Sequence, residues 1–246
     1  MCACELSFSI EEVERIVGFL GYGKPDADVW FIGKEEGIGG ASDPDAAYNL
    51  KARAHFEAAM DLYEAHLLLR KDNKPIDITV NIPRTPVWRY QAQMMLYIDD
   101  KRIGGGRNWF DSTIYRAYIQ HKLGRQSSDG NTFMTELAPI PSKSASDKRC
   151  KDKLRTCHPN FEEKIHDREI KLRELSKAAK KIICYSLPSA TRFAKLLDIE
   201  WTQHSHEIFA TLDERCVLIP FLGVGQLRRE TFHRLINSGL LNVKNS

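Results

Sequence analysis

Two adjacent carboxylates, Glu35 and Glu36, lie between Gly33 and Gly37, directly after the apolar run Val29 to Ile32. Such a run reads as a buried strand, here ending at Gly33. In an open α/β sheet, ligands bind just beyond the carboxyl ends of strands. Carboxylates in that position can serve as a general base, serve as a nucleophile or stabilise positive charge. Gly33, Gly37 and the pair Gly39-Gly40 let the backbone come close to a ligand. Their amides can donate to a carbonyl or a phosphate. Lys34 is placed to neutralise a phosphate or its acidic neighbours.

Helical and strand-like runs alternate around this segment. Ser9 and Glu12 form a capping box for a helix ending near Gly21. A long helical pattern from Ala46 to Leu69 follows the first strand, and a loop with a short strand at Ile78 to Val80 follows that helix. Trp88 to Ile98 and Trp109 to Leu123 read as helices separated by Gly104-Gly105-Gly106. Further strands are expected at Thr132 to Leu137, Ile182 to Tyr185 and Cys216 to Ile219, with helices at Phe161 to Ala179, Ser189 to Leu197 and Arg228 to Asn237. Strands alternating with helices imply parallel βαβ units. The expected fold is therefore α/β, a three-layer α/β/α sandwich around a mostly parallel sheet of about four strands, in one domain over residues 1–246.

No apolar run approaches the ~20 residues a membrane-spanning helix needs, and acids at Glu5, Glu11 and Glu12 are unlike a secretory signal. A cytoplasmic or nuclear location is expected, nucleoid-associated in a bacterium. Net charge is only +3, yet Lys143 to Lys181 carries 13 Lys and Arg against 7 Asp and Glu. Such a cluster suits a polyanion, and its alternating charges equally suit a solvated helix face. None of the six cysteines forms a CxxC, and reduced thiols are the default in a reducing compartment. Cys2, Cys4, Cys150 and Cys157 have unconvincing spacing for a metal or cluster. His204, Ser205 and His206 lack a third ligand, so no metal or cofactor is expected.

Four strand-end segments occur in order: Gly33-Lys34-Glu35-Glu36-Gly37, Thr135-Glu136-Leu137-Ala138-Pro139, Tyr185-Ser186-Leu187-Pro188-Ser189-Ala190, and Pro220-Phe221-Leu222-Gly223-Val224-Gly225-Gln226-Leu227. Together they resemble the uracil-DNA glycosylase superfamily over residues 18–238. In that family the first strand ends in a Gly-rich motif with an Asp, Asn or Glu, and a middle strand ends in a base-reading Asn before a proline. The last loop carries a His and an intercalating residue. Two departures stand out. Glu136 matches the Asn, and an ionised carboxylate donates no hydrogen bond. The last loop has no His.

The resemblance implies a monomeric DNA glycosylase of base excision repair. It would hydrolyse the N-glycosidic bond of a flipped-out damaged or deaminated base, uracil first. Glu35 matches the residue that stabilises the sugar cation and orients water, and a one-residue shift gives that role to Glu36. Gly33, Gly37, Glu136, Trp88, Trp109 and Phe110 are candidates for base binding, with Gln91 and Asn108 as amide partners. Ser142 and Lys143 are candidate phosphate contacts. In the last loop Gln226 or Leu227 would fill the gap left by the flipped base, while Arg228 and Arg229 hold phosphates. The alternatives are a catalytically inactive nucleic-acid-binding module of this fold, or a nucleoside or nucleotide hydrolase.

Overall fold

A computed structural model describes residues 7–37, 43–79, 82, 85–103, 108–142, 149–223 and 225–243. The first part of the chain forms α1 (Ile10–Gly18), β1 (Gly21–Gly23), β2 (Val29–Gly37) and α2 (Asp43–Ala52). It continues through β3 (Ala59–Met60), α3 (Leu62–Leu67), a hairpin of β4 (Arg70–Lys71) and β5 (Lys74–Pro75), α4 (Pro86–Ile103) and α5 (Ser112–His121). Next come β6 (Thr132–Ser142), α6 (Arg149–Cys157), α7 (Phe161–Ser176), β7 (Lys181–Tyr185) and α8 (Ala190–Leu197). The chain closes with β8 (Thr202–Ser205), β9 (Ile208–Ala210), β10 (Cys216–Ile219) and α9 (Arg229–Asn237). Among the described residues no helix is long and apolar enough to cross a membrane.

The main sheet runs β3-β1-β6-β2-β7-β10-β9-β8. Its centre, β6-β2-β7-β10, is the set of four strands expected from the sequence, and every pairing within it is parallel. The α/β class is as expected, with eight strands rather than about four. The additional strands are two to four residues long, and β8 is polar and largely exposed, so none has the apolar run that marks a buried strand. The centre is covered on both faces, as parallel sheets require. Val29 and Phe31 pack with Met94, Met95 and Ile98 of α4, while Trp30 and Ile32 pack with Leu172 of α7 and Phe193 of α8.

The continuous helix expected from Ala46 to Leu69 is three pieces. α2 ends at Ala52, a 3-10 turn covers Arg53–His55, and β3 pairs with β1 before α3 begins. Asp61 caps α3, its side chain accepting from the Tyr63 amide at 2.9 Å. The short strand expected at Ile78 to Val80 is instead a turn at Ile78 and Thr79, closed by the Asp77 carboxylate on the Thr79 amide and hydroxyl. Val80 is outside the described residues.

Candidate active site

Register builds the centre of the site. Across the parallel ladder Gly33 of β2 is flanked by Glu136 of β6 and Tyr185 of β7. Facing cross-strand neighbours share a sheet face, and Gly33 contributes no side chain, so the other two meet over it. The Tyr185 hydroxyl donates to Glu136 Oε1 at 2.9 Å. Glu136 Oε2 fills the space that a Cβ on Gly33 would occupy and has no hydrogen-bond partner among the described residues. Burial pushes the Glu136 carboxyl up to about 8, against the opposing hydrogen bond from Tyr185. Gln91 of α4 donates to the same hydroxyl at 3.4 Å. Gly33→Ala would drive its methyl into the Glu136 carboxyl. It is expected to destabilise the protein by about 1–3 kcal/mol, as overpacking does, and to lower the urea midpoint accordingly.

β2 does not stop at Gly33 but runs on to Gly37, so Glu35 and Glu36 stand on a strand rather than in a loop. Strict alternation would put Glu36 on the face of Ile32. A register shift between Glu35 and Gly37 breaks it, and Glu36 meets Tyr22, which belongs to the same core as Phe31. The Tyr22 hydroxyl donates to Glu36 Oε2 at 3.0 Å, and Arg53 Nη2 donates to the same oxygen at 2.5 Å. Arg53 is 3% exposed and lies against the rings of Phe19 and Phe56. Burial disfavours its charge, and the adjacent Glu36 and Tyr22 more than restore it. Glu36 is thereby engaged in an ion pair and a phenol contact. Among the described residues Glu35 has one ion pair, with Lys34 at 3.5 Å.

A cavity of about 460 Å³ opens here, with Glu35, Glu36, Glu136, Trp88, Tyr185 and Phe221 in its wall. That volume falls in the range of small-molecule sites. His66 of α3 also lines it, with Nδ1 at 2.8 Å from the Leu62 carbonyl. A carbonyl only accepts, so Nδ1 carries the proton and Nε2 is left as an acceptor. Burial lowers the His66 pKa and favours this neutral form. Arg168 of α7 is 4% exposed and donates to the backbone carbonyls of Phe19 at 2.6 Å and Glu136 at 2.9 Å. It fixes the middle of β6 at Glu136.

The structure thus brings together Gly33, Glu35, Glu36, Glu136 and Trp88. It does not bring Trp109 and Phe110 to the cavity. Their rings pack on each other at 4.6 Å, with Tyr97 against Trp109 and Phe232 against Phe110, because α4 and α9 offer apolar surface there. Asn108 is likewise local, its side chain accepting from the Phe110 amide. Leu227 is no exposed wedge: it is 4% exposed in the core below α4. Gln226, Arg228 and Arg229 are exposed, and Arg229 Nε is 3.3 Å from His233 Nε2. The backbone at Gly37 pairs with Ser142, whose side chain, like all of Lys143, is outside the described residues.

Many cations of the basic stretch before Lys181 are engaged with partners in the fold. Arg155 pairs with Glu162, Lys164 with Glu14 and Lys180 with Asp28. Arg173 binds the carbonyls ending α8, and buried Lys181 binds those of Glu214 and Leu240. Cys150, Cys157, Cys184 and Cys216 form no disulfide among the described residues, and Cys2 and Cys4 are outside the described residues. Among the described residues no three His, Cys, Asp or Glu side chains converge as a metal site.

Comparison with known families, curated proteins and solved structures finds no match. The site must therefore be read from its own chemistry. Tyr185, Tyr22, Arg53, His66 and Phe221 were not among the candidates the sequence offered. Tyr185 closes an apolar strand run and Phe221 opens a Gly-rich loop, which is a signal of position alone. Arg53 and His66 lie within what reads as one helix and carry no such signal.

Proposed function

We propose that this protein is a DNA glycosylase that hydrolyses the N-glycosidic bond of a flipped-out damaged or deaminated base. One observation carries the reading. Within one aromatic-walled cavity, a carboxyl held neutral near pH 7, Glu136, accompanies a carboxylate that no buried cation engages, Glu35. A carboxyl that keeps its proton to such a pH can serve as the acid in a site of this kind. The resemblance of the four strand-end segments to the uracil-DNA glycosylase superfamily supports the same reading.

The chemistry divides as follows. An extruded base stacks against the ring surfaces of Trp88 and Phe221. As the bond from C1′ to the base nitrogen breaks, its electron pair leaves with the base and positive charge grows on the sugar. Glu35 stabilises that charge and takes the proton from the water that forms the new C1′–O bond. Protonated Glu136 donates to the departing base, the role a loop histidine has in the resembled family. Glu36 remains with Arg53 and Tyr22. Excision repair, DNA as partner and a monomeric state belong to this proposal.

The test is release of free base from duplex and single-stranded oligonucleotides carrying one uracil, hypoxanthine or xanthine. Base release is expected on at least one of them. Binding without release on every substrate would overturn the reading in favour of an inactive binding module. A cavity of 460 Å³ also has room for a whole nucleoside, and release from free nucleosides alone would reassign the substrate class.

A further inference from the structure

We propose that the β4–β5 hairpin, Arg70 to Pro75, is a phosphate grip at the cavity mouth for the nucleic-acid strand that flanks the bound nucleotide. The proposal rests on the cavity being a site for a nucleotide base. Lys71 and Lys74 are direct cross-strand partners in this hairpin. Like charges in that relation repel and destabilise the pair. Both side chains are exposed, and neither has an ion pair among the described residues. Their placement costs the fold stability and returns no ion pair or side-chain hydrogen bond among the described residues. A bound phosphodiester removes the repulsion.

The hairpin is also anchored to α2 and does not stand on its own two-stranded ladder alone. An isolated two-stranded ribbon this short does not persist in water. Its turn puts Asp72 at φ 52° and Asn73 at φ 58°, the left-handed conformation of a tight two-residue hairpin. Asp45 of α2 accepts from both turn amides, at 2.8 and 3.2 Å. One helical turn later, Asn49 exchanges two hydrogen bonds with the Arg70 backbone, donating at 2.8 Å and accepting at 2.6 Å. The Arg70 guanidinium lies 3.9 Å from the centre of the Tyr48 ring. Order established before binding lowers the entropic cost of association.

Position completes the case. Arg70 and Lys71 line the same cavity as Glu35 and Glu136. Three cations, Arg70, Lys71 and Lys74, stand on six residues with Asp72 as the only acid. The longer basic stretch, by contrast, has many of its cations engaged in internal contacts. Phosphate contacts set where a strand lies and carry no sequence information, which is what an excision site needs beside its base pocket.

The test measures binding of an end-labelled, undamaged oligonucleotide, single-stranded and duplex, across a salt series. The wild type is compared with Lys71→Ala/Lys74→Ala, Lys71→Arg/Lys74→Arg and Lys195→Ala, the last an exposed lysine on α8. The double alanine variant is expected to lower the slope of log K against log salt by about 2. Its affinity should fall by roughly tenfold per lysine near 0.1 M salt. The arginine pair should restore both, and Lys195→Ala should change neither. An unchanged slope in the double alanine variant overturns the grip even if the wild type excises bases. A reduced slope supports it even if no base is ever released. A wild type that binds neither oligonucleotide overturns the proposal outright.

Discussion

Glu35→Gln is expected to lower base release by about 10²–10⁴-fold while leaving the unfolding midpoint where it was. Glu36→Gln should act chiefly on stability. The difference follows from what each carboxylate touches. Glu35 has Lys34 at 3.5 Å, with side chains 23% and 33% exposed, and such a pair contributes little to folding. Glu36 holds Arg53 at 2.5 Å, and Arg53 is 3% exposed. Removing one partner of a buried pair strands the other charge and costs about 3–5 kcal/mol. The Glu36 side chain is 28% exposed, so the lower end applies, about 3 kcal/mol. Adding Arg53→Met to Glu36→Gln should recover most of that loss, because the stranded charge is gone and the site beside Phe19 and Phe56 is apolar. Chemical denaturation paired with single-turnover base release reads both effects. A Glu36→Gln protein of normal stability and no activity would transfer the role of Glu35 to its neighbour.

The sheet was legible where burial is complete. Val29 to Ile32 and Ile182 to Tyr185 are continuous apolar runs because both of their faces are covered, and such runs mark the central strands. β1 and β3 are too short to show a pattern, and the residues of β8 follow from pairing with β9 rather than from apolar content. Glu35 and Glu36 were legible because they follow the first of those runs, and Glu136 because it stands in a strand segment leading into Pro139. Their partners were not. Tyr185 acquires its role only through register, which sets it across Gly33 from Glu136. Arg53 depends on the chain leaving the helix at Ala52, a break no glycine or proline announces. Arg168 is one of many charges on α7, and nothing in their alternation distinguishes the one that turns inward. The misplaced candidates share a cause too. Trp109, Phe110 and Leu227 combine apolar surface with neighbouring glycines, which suits a wedge or a pocket wall, and packing against α4 and α9 claims that surface first.

Base release is expected to decline as pH rises through about 8, the value to which burial raises Glu136. The protonated carboxyl is the donating form, and ionisation would add a negative charge near Glu36 and Glu35 as the base departs. Glu136→Gln keeps a donor at the same place but has no proton to lose. Its activity should be reduced and should lack the alkaline decline. Stability provides an independent reading with a definite sign. An ordinary Glu ionises near 4.3 in the unfolded chain, whereas folded Glu136 stays protonated up to about 8. Between those values the folded state holds the extra proton, so this carboxyl lowers stability as pH rises, by up to about 1.4 kcal/mol per pH unit. Below the unfolded value it exerts no such effect, and above about 8 the penalty is constant. The stability of Glu136→Gln relative to the wild type should therefore grow from pH 5 to about 8 and then level off. A constant difference over that range would place the Glu136 carboxylate in an ionised state at neutral pH. The donor to the leaving base would then have to be sought elsewhere in the cavity wall.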